Sequence, residues 1–200
     1  MHTNIEKDRC EWSKASSEFI DYHDREWGIP ATDDRDLFEK LCLESFQSGL
    51  SWRTILSKRD NFRNAFADFD FNTIATFGQS KMDDLLADAG IVRHKGKIEA
   101  VINNAKCAQE MVEEEGSLAA FFWRFEPQQK EEVTPQTLSK SDASTRLSKA
   151  LKKRGWKFVG PTTVYSFMQA TGILNDHSLT CFRRPEIEQL LSNFKRPLGE

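Results

Sequence analysis

The sequence predicts an all-α fold, and three observations support this prediction. From about residue 34 onward, apolar residues recur at three- and four-residue spacing, which is the period of an amphipathic helix. No segment alternates apolar and polar residues as a half-buried strand does. The chain has 200 residues, of which 38% are hydrophobic and 30% charged. It is therefore long enough, and apolar enough, to bury one helical core.

Helix end signals divide this pattern into elements. The capping run Thr32–Asp34 precedes the first clear helix, Gly90 ends a short one, and Gly116 closes the longest. The predicted helical segments, in chain order, are 34–46, 51–66, 74–77, 82–86, 96–116, 144–154 and 162–171.

Two further segments complete the predicted organisation. Residues 126–140 are polar and contain two prolines, so they are predicted to form a mobile loop. We expect residues 1–184 to form a single helical domain of one or two lobes, with a binding pocket between the lobes. Residues 185–200 form a C-terminal tail with an amphipathic pattern.

The charge balance limits the possible partners. A net charge of −3 and a pI near 5.9 argue against a surface that coats nucleic acid, although a local basic cluster remains compatible with DNA binding. The first 14 residues lack the apolar stretch of a signal peptide, and no run is long enough to span a membrane. We therefore expect a cytoplasmic protein with no membrane role, whose four cysteines stay reduced.

Cysteine and histidine residues near the two ends of the chain are candidate metal ligands. His177 and Cys181 have a spacing that allows both side chains to face one ion, and Cys10 and His23 could complete a tetrahedral site. Four protein ligands would make such a zinc site structural. From the residues alone, ordinary packing remains an open alternative. Cys42 and Cys107 lie on apolar helix faces and are predicted to be small buried hydrophobes.

Two basic segments are candidate DNA contacts. The turn between the helices around 82–86 and 96–116 could bind a phosphate through free backbone N–H groups and basic side chains. The residues concerned are Gly90, Arg93, His94, Lys95 and Lys97. A plain helix–helix turn explains them equally well. A second basic run at 149–157 could line the same face or form a solvated helix surface.

The third candidate site combines aromatic residues with an acid. Glu44 interrupts an apolar helical stretch, so its carboxylate should reach solvent or meet a donor. Flat rings near it could stack on a flipped cationic purine, whose amine would supply such a donor. The aromatic candidates are Trp12, Phe19, Tyr22, Trp27 and Trp52. Core packing of these rings is the alternative.

Taken together, these motifs closely resemble the 3-methyladenine DNA glycosylase I family, a branch of the helix-hairpin-helix glycosylases. The likeness extends to about Arg184. The matching stretches are 9–12, 22–28, 41–44, 47–52, 89–98, 152–160, 165–172 and 175–177 with Cys181.

The resemblance implies an enzyme that hydrolyses the N-glycosidic bond of 3-methyladenine in alkylated double-stranded DNA and releases the free base. It implies one structural zinc on Cys10, His23, His177 and Cys181, and base recognition by Glu44, the residue expected to dominate catalysis. It also implies a base pocket of Tyr22 and the tryptophans, with Gly49 and Leu50 entering the DNA stack and the Gly90 hairpin binding phosphate. We expect a monomer without a catalytic Asp.

The sequence departs from the family pattern at three positions. Phe19 stands where the family often has Tyr, and Ser45-Phe46 replaces a small-residue pair, so Phe46 is predicted to reshape the pocket. The alternatives are a non-catalytic helix-hairpin-helix protein that senses lesions and a zinc-stabilised interaction module. A third, a glycosylase with a lyase step, lacks a lysine in the pocket motifs.

Overall fold

The computed structural model describes residues 7–127 and 134–197, and within these ranges it contains helices and no strand. Two 3₁₀ turns lie at Glu11–Ala15 and Ala67–Phe69. The α-helices are α1 Ser17–Arg25, α2 Asp34–Gln47, α3 Trp52–Ser57, α4 Arg59–Ala65, α5 Phe71–Ile74, α6 Gln79–Ala87, α7 Lys95–Glu115, α8 Leu118–Trp123, α9 Asp142–Lys153, α10 Pro161–Ala170 and α11 Arg183–Asn193. No helix in the described ranges combines the length and the apolar character needed to cross a membrane.

Helix α2 is the centre of the fold. Every residue from Leu37 to Phe46 is buried, and the helix packs against α3, α7, α8 and α10. Its start is fixed by Asp33, whose carboxylate accepts a hydrogen bond from the backbone N–H of Asp36 at 2.9 Å. Because α2 is enclosed on all sides, any polar side chain in its second half must be buried.

The main differences from the predicted elements lie near the N-terminus and at Lys58. The apolar spacing before residue 34 did not predict α1 or the preceding 3₁₀ turn. The predicted 51–66 helix is two helices, because Lys58 leaves the helical region at φ −104° and ψ 3°. Its N–H closes α3 by donating to the carbonyls of Ile55 and Leu56.

The C-terminal tail packs on the core. Helix α11 begins at Arg183 and so crosses the predicted boundary between residues 184 and 185. Ile187 is fully buried, and the ring of Phe194 lies 4.4 Å from that of Trp123. Residues 198–200 of this predicted tail lie outside the described ranges, as do residues 1–6.

The predicted mobile loop is described in part. Its residues 128–133 lie outside the described ranges. After them, Gln136 is held by hydrogen bonds to Asp176, and α9 begins at Asp142 behind a capping box formed by Ser141 and Ser144. The last part of this segment is therefore attached to the helical body.

Two pairs of consecutive helices are joined by short connections that lie side by side. Residues 88–94 join α6 to α7, and residues 154–160 join α9 to α10. The ring of His94 in the first connection lies 6.1 Å from the ring of Phe158 in the second. The sequence predicted the first connection as a hairpin but treated the second only as part of a basic run.

Candidate functional site

A cavity of about 400 Å³ opens between α1, α2, α3 and α10. One part of its wall is aromatic and comprises Trp12, Phe19, Tyr22, Trp27 and Trp52. The remaining wall comprises Glu44, Gln47, Gln136, Leu138, Ser166 and Gln169. The structure thus brings all five predicted aromatic residues and the predicted carboxylate into one pocket.

Glu44 contributes a buried carboxyl to the cavity wall. Its Oε2 is buried and has no hydrogen-bond partner among the described residues. Burial raises its pKa to about 8, and the positive charge of Lys40, one turn earlier on α2, offsets part of this effect. A buried polar atom without a partner is costly, so its presence here favours a ligand that supplies a donor.

The aromatic rings enclose the space beside this carboxyl. Tyr22 and Trp52 lie with ring centroids 5.4 Å apart, and Trp12 lies 5.1 Å from Trp27 and 6.0 Å from Phe19. The indole N–H of Trp52 is also buried and unpaired within the described residues. Burial, with the nearby Glu44 carboxyl as a smaller cause, raises the pKa of Tyr22, so its hydroxyl keeps its proton. The pocket suits a flat, cationic ligand with hydrogen-bonding edges.

The other charges near the pocket are already paired. Glu26 accepts hydrogen bonds from Lys40 at 2.9 Å and from Arg59 at 2.6 Å. Lys40 also bonds Asp36 at 2.7 Å. Burial opposes ionisation of Glu26, but these two cations outweigh it and hold its pKa below the ordinary value. Glu44 is therefore the acid in this region that is left for a ligand.

The sequence departures have different structural outcomes. Phe19 lines the cavity, as predicted. The prediction that Phe46 reshapes the pocket is wrong, because this ring is fully buried in the main core, 4.6 Å from Phe62. The hydroxyl of Ser45 donates to the carbonyl of Leu41 and to that of Phe158 in the connection between α9 and α10.

The sequence reading missed five pocket residues. Gln47 and Leu138 line the cavity, and Gln136, Ser166 and Gln169 add polar groups to its wall. Ser166 and Gln169 lie three residues apart on α10, the spacing of one helix face, and this was the available signal. Gln136 and Leu138 follow a segment without periodicity, so nothing in the sequence placed them here.

The four predicted metal ligands form one buried cluster. Their ligand atoms all lie within 4.8 Å of one another, and each residue is at most 1% exposed. The Sγ atom of Cys181 lies 3.4 Å from His23 Nε2 and 3.6 Å from His177 Nδ1, which is also 3.6 Å from Cys10 Sγ. A tetrahedral ion with bonds of about 2.0–2.3 Å would separate its ligands by roughly this distance.

The surroundings of the cluster orient its ligands. His23 Nδ1 lies 2.8 Å from Asp24, which is held in turn by Arg9 at 2.8 Å. His177 Nε2 lies 3.3 Å from the carbonyl of Trp27. Hydrogen bonds from Cys181 and the two imidazoles outweigh the effect of burial and hold the pKa of Cys10 well below its ordinary value. An imidazole with its second nitrogen fixed, beside a thiolate, is typical of a zinc ligand set.

Close packing of glycines lets the chain ends meet at this cluster. Gly28 has φ +83°, and a Cβ there would lie 2.9 Å from His177 Nε2. Gly172 has φ +72°, and its Cβ would lie 2.6 Å from the Gly28 carbonyl oxygen. A side chain at either position would push the two segments apart. The rings of Trp27 and His177 lie 4.6 Å apart, so the cluster and the aromatic pocket share a wall.

The predicted DNA-contacting residues are exposed with two exceptions. Gly49 and Leu50 form an exposed turn after α2, Arg93, His94 and Lys95 are exposed, and Gly90 is half-buried. Lys97 is buried instead, and its ammonium donates to the carbonyls of Phe46 and Ser48. The prediction of a phosphate contact from Lys97 is therefore corrected to a contact that fixes the Gly49–Leu50 turn.

The Gly90 turn also differs from the prediction. The expected free N–H of Gly90 donates to the carboxylate of Asp88 at 2.7 Å, and its carbonyl accepts from Lys58 and Asn61. At the end of the connection between α9 and α10, by contrast, helix α10 begins at Gly160-Pro161 without a side-chain cap. The uncapped N–H groups of a helix N-terminus can hold an anion.

Comparison with known proteins agrees with this geometry. Residues 12–184 match the model of the methyladenine glycosylase family. The chain is 47% identical over 178 residues to DNA-3-methyladenine glycosylase 1 of Escherichia coli (strain K12), covering 87% of this chain and 95% of that protein. It is 42% identical over 177 residues to DNA-3-methyladenine glycosylase of Haemophilus influenzae, covering 86% and 96%.

A solved structure is similar over the same region. It is a variant of 3-methyladenine DNA glycosylase I in complex with 3-methyladenine, and its sequence is 34% identical to this chain. The TM-score is 0.83, and the match covers 88% of this chain and 97% of the solved chain.

Proposed function

The chain belongs to the methyladenine glycosylase family, and from this premise we propose that it hydrolyses the N-glycosidic bond of 3-methyladenine in alkylated DNA and releases the free base. The observation that carries the proposal is the unpaired Oε2 of Glu44 in an aromatic pocket. An alkylated adenine brings amine donors, which Oε2 of Glu44 lacks among the described residues, and a positive charge that favours the ionised carboxyl. The relatives in the family are glycosylases by name, so the reaction is a hydrolysis.

The mechanism follows from the charge of the leaving group. Methylation at N3 makes the base a cation, which weakens the glycosidic bond before the protein acts on it. Trp52, Tyr22 and the other rings stack on the extruded base, and cation–π attraction adds roughly 1–2 kcal/mol in a desolvated pocket. Glu44 binds the base edge and favours its charge over a neutral purine.

The pocket offers no residue for a lyase step. None of the described residues that line it is a lysine, so no amine is in place to attack the deoxyribose. We propose a monofunctional enzyme, which leaves the DNA strand intact after base release. We also propose no general base, since the charged leaving group lowers the demand on the attacking water.

The DNA is proposed to lie across three neighbouring loops. Leu50 is 43% exposed on a turn that Lys97 holds, which suits a side chain that enters the base stack. The connections at 88–94 and 154–160 lie beside each other, Arg93 in the first and Lys157 in the second are exposed, and α10 presents its uncapped N-terminus. We propose that the hairpins bind phosphates of double-stranded DNA without reading sequence.

We further propose that the buried cluster holds one structural zinc. Its donors are two thiols and two imidazoles, and four protein ligands leave no open position for catalysis. Bound there, zinc would cross-link the N-terminal segment to the segment that follows α10. Since the cytosol keeps thiols reduced, we also propose that the chain acts there, as a monomer.

The reaction is tested by incubating the purified chain with methylated duplex DNA and separating the released bases by chromatography. We expect 3-methyladenine as the main product, with the DNA backbone intact at the abasic sites. If the chain binds abasic-site DNA but releases no base, a non-catalytic lesion sensor replaces the proposal. Strand cleavage at the abasic sites would contradict the monofunctional assignment.

The hairpin proposal predicts a change in salt dependence. Lys95→Ala and Lys157→Ala, one in each hairpin region, should each weaken binding to any duplex and lower the slope of log affinity against log salt by about 1. Fluorescence anisotropy with duplexes of two unrelated sequences measures this slope. Lys106→Ala, exposed on α7 about three turns from the first hairpin, is the matched control. An unchanged slope in both variants would place the DNA on another face.

A further inference from the structure

A buried aspartate next to the metal cluster organises part of the pocket wall. Asp176 is 6% exposed and precedes the ligand His177. Its Oδ1 accepts from the backbone N–H of Gln136 at 3.0 Å, and its Oδ2 accepts from Gln169 Nε2 at 2.6 Å. Its main-chain carbonyl accepts from Gln136 Nε2 at 3.1 Å. Asp176 therefore binds two of the three glutamines that line the cavity, Gln136 in the loop before α9 and Gln169 on α10.

The backbone at Gln136 shows that this attachment is specific. Gln136 has φ +63°, in the left-handed region that a non-glycine residue rarely adopts. Such a conformation persists where surrounding contacts determine it. Here the contacts are the two hydrogen bonds to Asp176, which tie the 134–138 segment to the body of the protein beside the cavity.

The chemistry of these bonds fixes which end of each amide is available. A carboxylate and a main-chain carbonyl accept hydrogen bonds and do not donate them, so both glutamines must turn their NH₂ groups toward Asp176. The amide oxygens of Gln136 and Gln169 are then the acceptors left for a ligand. A cationic adenine has an exocyclic amine that can donate to these oxygens, whereas the oxygens would repel a base edge that only accepts hydrogen bonds.

On this basis we propose that Gln136 and Gln169 are base-contacting residues, whose amide oxygens accept from the alkylated adenine, and that Asp176 is the positioning residue that orients both. The inference rests on the proposed function and adds a second recognition element to Glu44. It also gives the segment after residue 133 a role, as a wall of the base pocket.

The affinity for free 3-methyladenine, measured by quenching of tryptophan fluorescence, tests the contact from Gln136. Gln136→Ala keeps the backbone bond to Asp176 and removes the amide, so affinity should fall about tenfold. Binding to abasic-site DNA, which lacks the base, should stay unchanged. Ser139→Ala, exposed in the same segment, is the matched control and should bind the base like the wild type.

Asp176→Asn tests the positioning role. The asparagine amide can donate where the carboxylate accepted, so Gln169 loses its fixed orientation and the backbone N–H of Gln136 loses its acceptor, while the main-chain carbonyl at 176 still accepts from the Gln136 amide. Base affinity should therefore fall at least as far as in Gln136→Ala. Zinc content is measured in parallel because His177 is adjacent. An affinity that falls only in step with lost zinc would overturn the role of Asp176.

The two levels of the proposal fail in different ways. Wild-type affinity in Gln136→Ala, with active wild-type enzyme and weakened binding in Glu44→Gln, would overturn this inference and leave the glycosylase intact. Absence of base release by the wild type would overturn the proposed function first.

Discussion

Glu44→Gln should lower the rate of 3-methyladenine release by about 100-fold or more while the fold stays intact. The reason is electrostatic: a cationic base beside Glu44 favours the ionised carboxyl and faces its negative charge in a water-poor pocket, whereas the amide keeps the shape of the side chain but cannot ionise. Single-turnover release from methylated DNA measures the effect. Glu39→Gln is the matched control, since Glu39 lies on the same helix but pairs with Arg63 outside the pocket. Equal losses in both variants would contradict the role of Glu44.

The same substitution should stabilise the folded protein at alkaline pH. The pKa of Glu44 is about 8 in the folded chain against an ordinary value of 4.5, so the folded state holds this proton more tightly than the unfolded state. The carboxyl therefore weakens the fold progressively as the pH rises from about 4.5 to about 8, by an amount on the order of a few kcal/mol.

Thermal unfolding at two pH values checks this sign. Near pH 4.5 the wild type and Glu44→Gln should unfold at similar temperatures, and near pH 8.5 the variant should unfold several degrees higher. Greater stability together with lost activity would identify Glu44 as a residue kept for function at a cost in stability. A variant that is less stable than the wild type at alkaline pH would show that Glu44 has a structural partner.

Loss of the proposed zinc should destabilise the protein strongly. Stripping the metal leaves four buried donors unsatisfied and releases the link between the N-terminal segment and the segment after α10. We expect Cys181→Ala or a strong chelator to lower stability by about 4 kcal/mol, roughly 10 °C in the midpoint for a chain of this length. Calorimetry with metal analysis measures both quantities, and about one zinc per chain should be found.

Cys107→Ala is the matched control for this prediction, because Cys107 is buried outside the cluster. Its effect should be much smaller and independent of chelator. Chelated protein that is still folded should lose much of its stability but little of its rate of base release. The reverse order would indicate a catalytic metal, and well-folded protein without metal would show the ligand assignment to be wrong.

The fold could be predicted from local signals where those signals were strong. Helix α7 ends at Gly116, with φ +82°, as the sequence indicated. The position of α2 in the chain also follows its apolar spacing, whereas the burial of its polar residues does not. Helix α1 was not predicted because its buried residues are Tyr22 and His23 rather than aliphatic residues. These two side chains face the pocket and the metal cluster.

The pocket was predictable in its aromatic half and not in its polar half. Trp52 and Glu44 stand out in sequence because a tryptophan or an acid needs a reason to be buried. A glutamine in a loop carries no such signal, and the place of Gln136 depends on one distant partner, Asp176. Lys97 shows the opposite error, since a lysine in a basic hairpin suggests phosphate, whereas its ammonium is used to hold a turn.

The most direct test of the account is a crystal structure of this chain with free 3-methyladenine. We predict that the base lies in the cavity of about 400 Å³, stacked against Trp52, with a donor of its edge within hydrogen-bond distance of Glu44 Oε2. A base bound elsewhere, or one in the cavity that leaves this oxygen unpaired, would contradict the central claim.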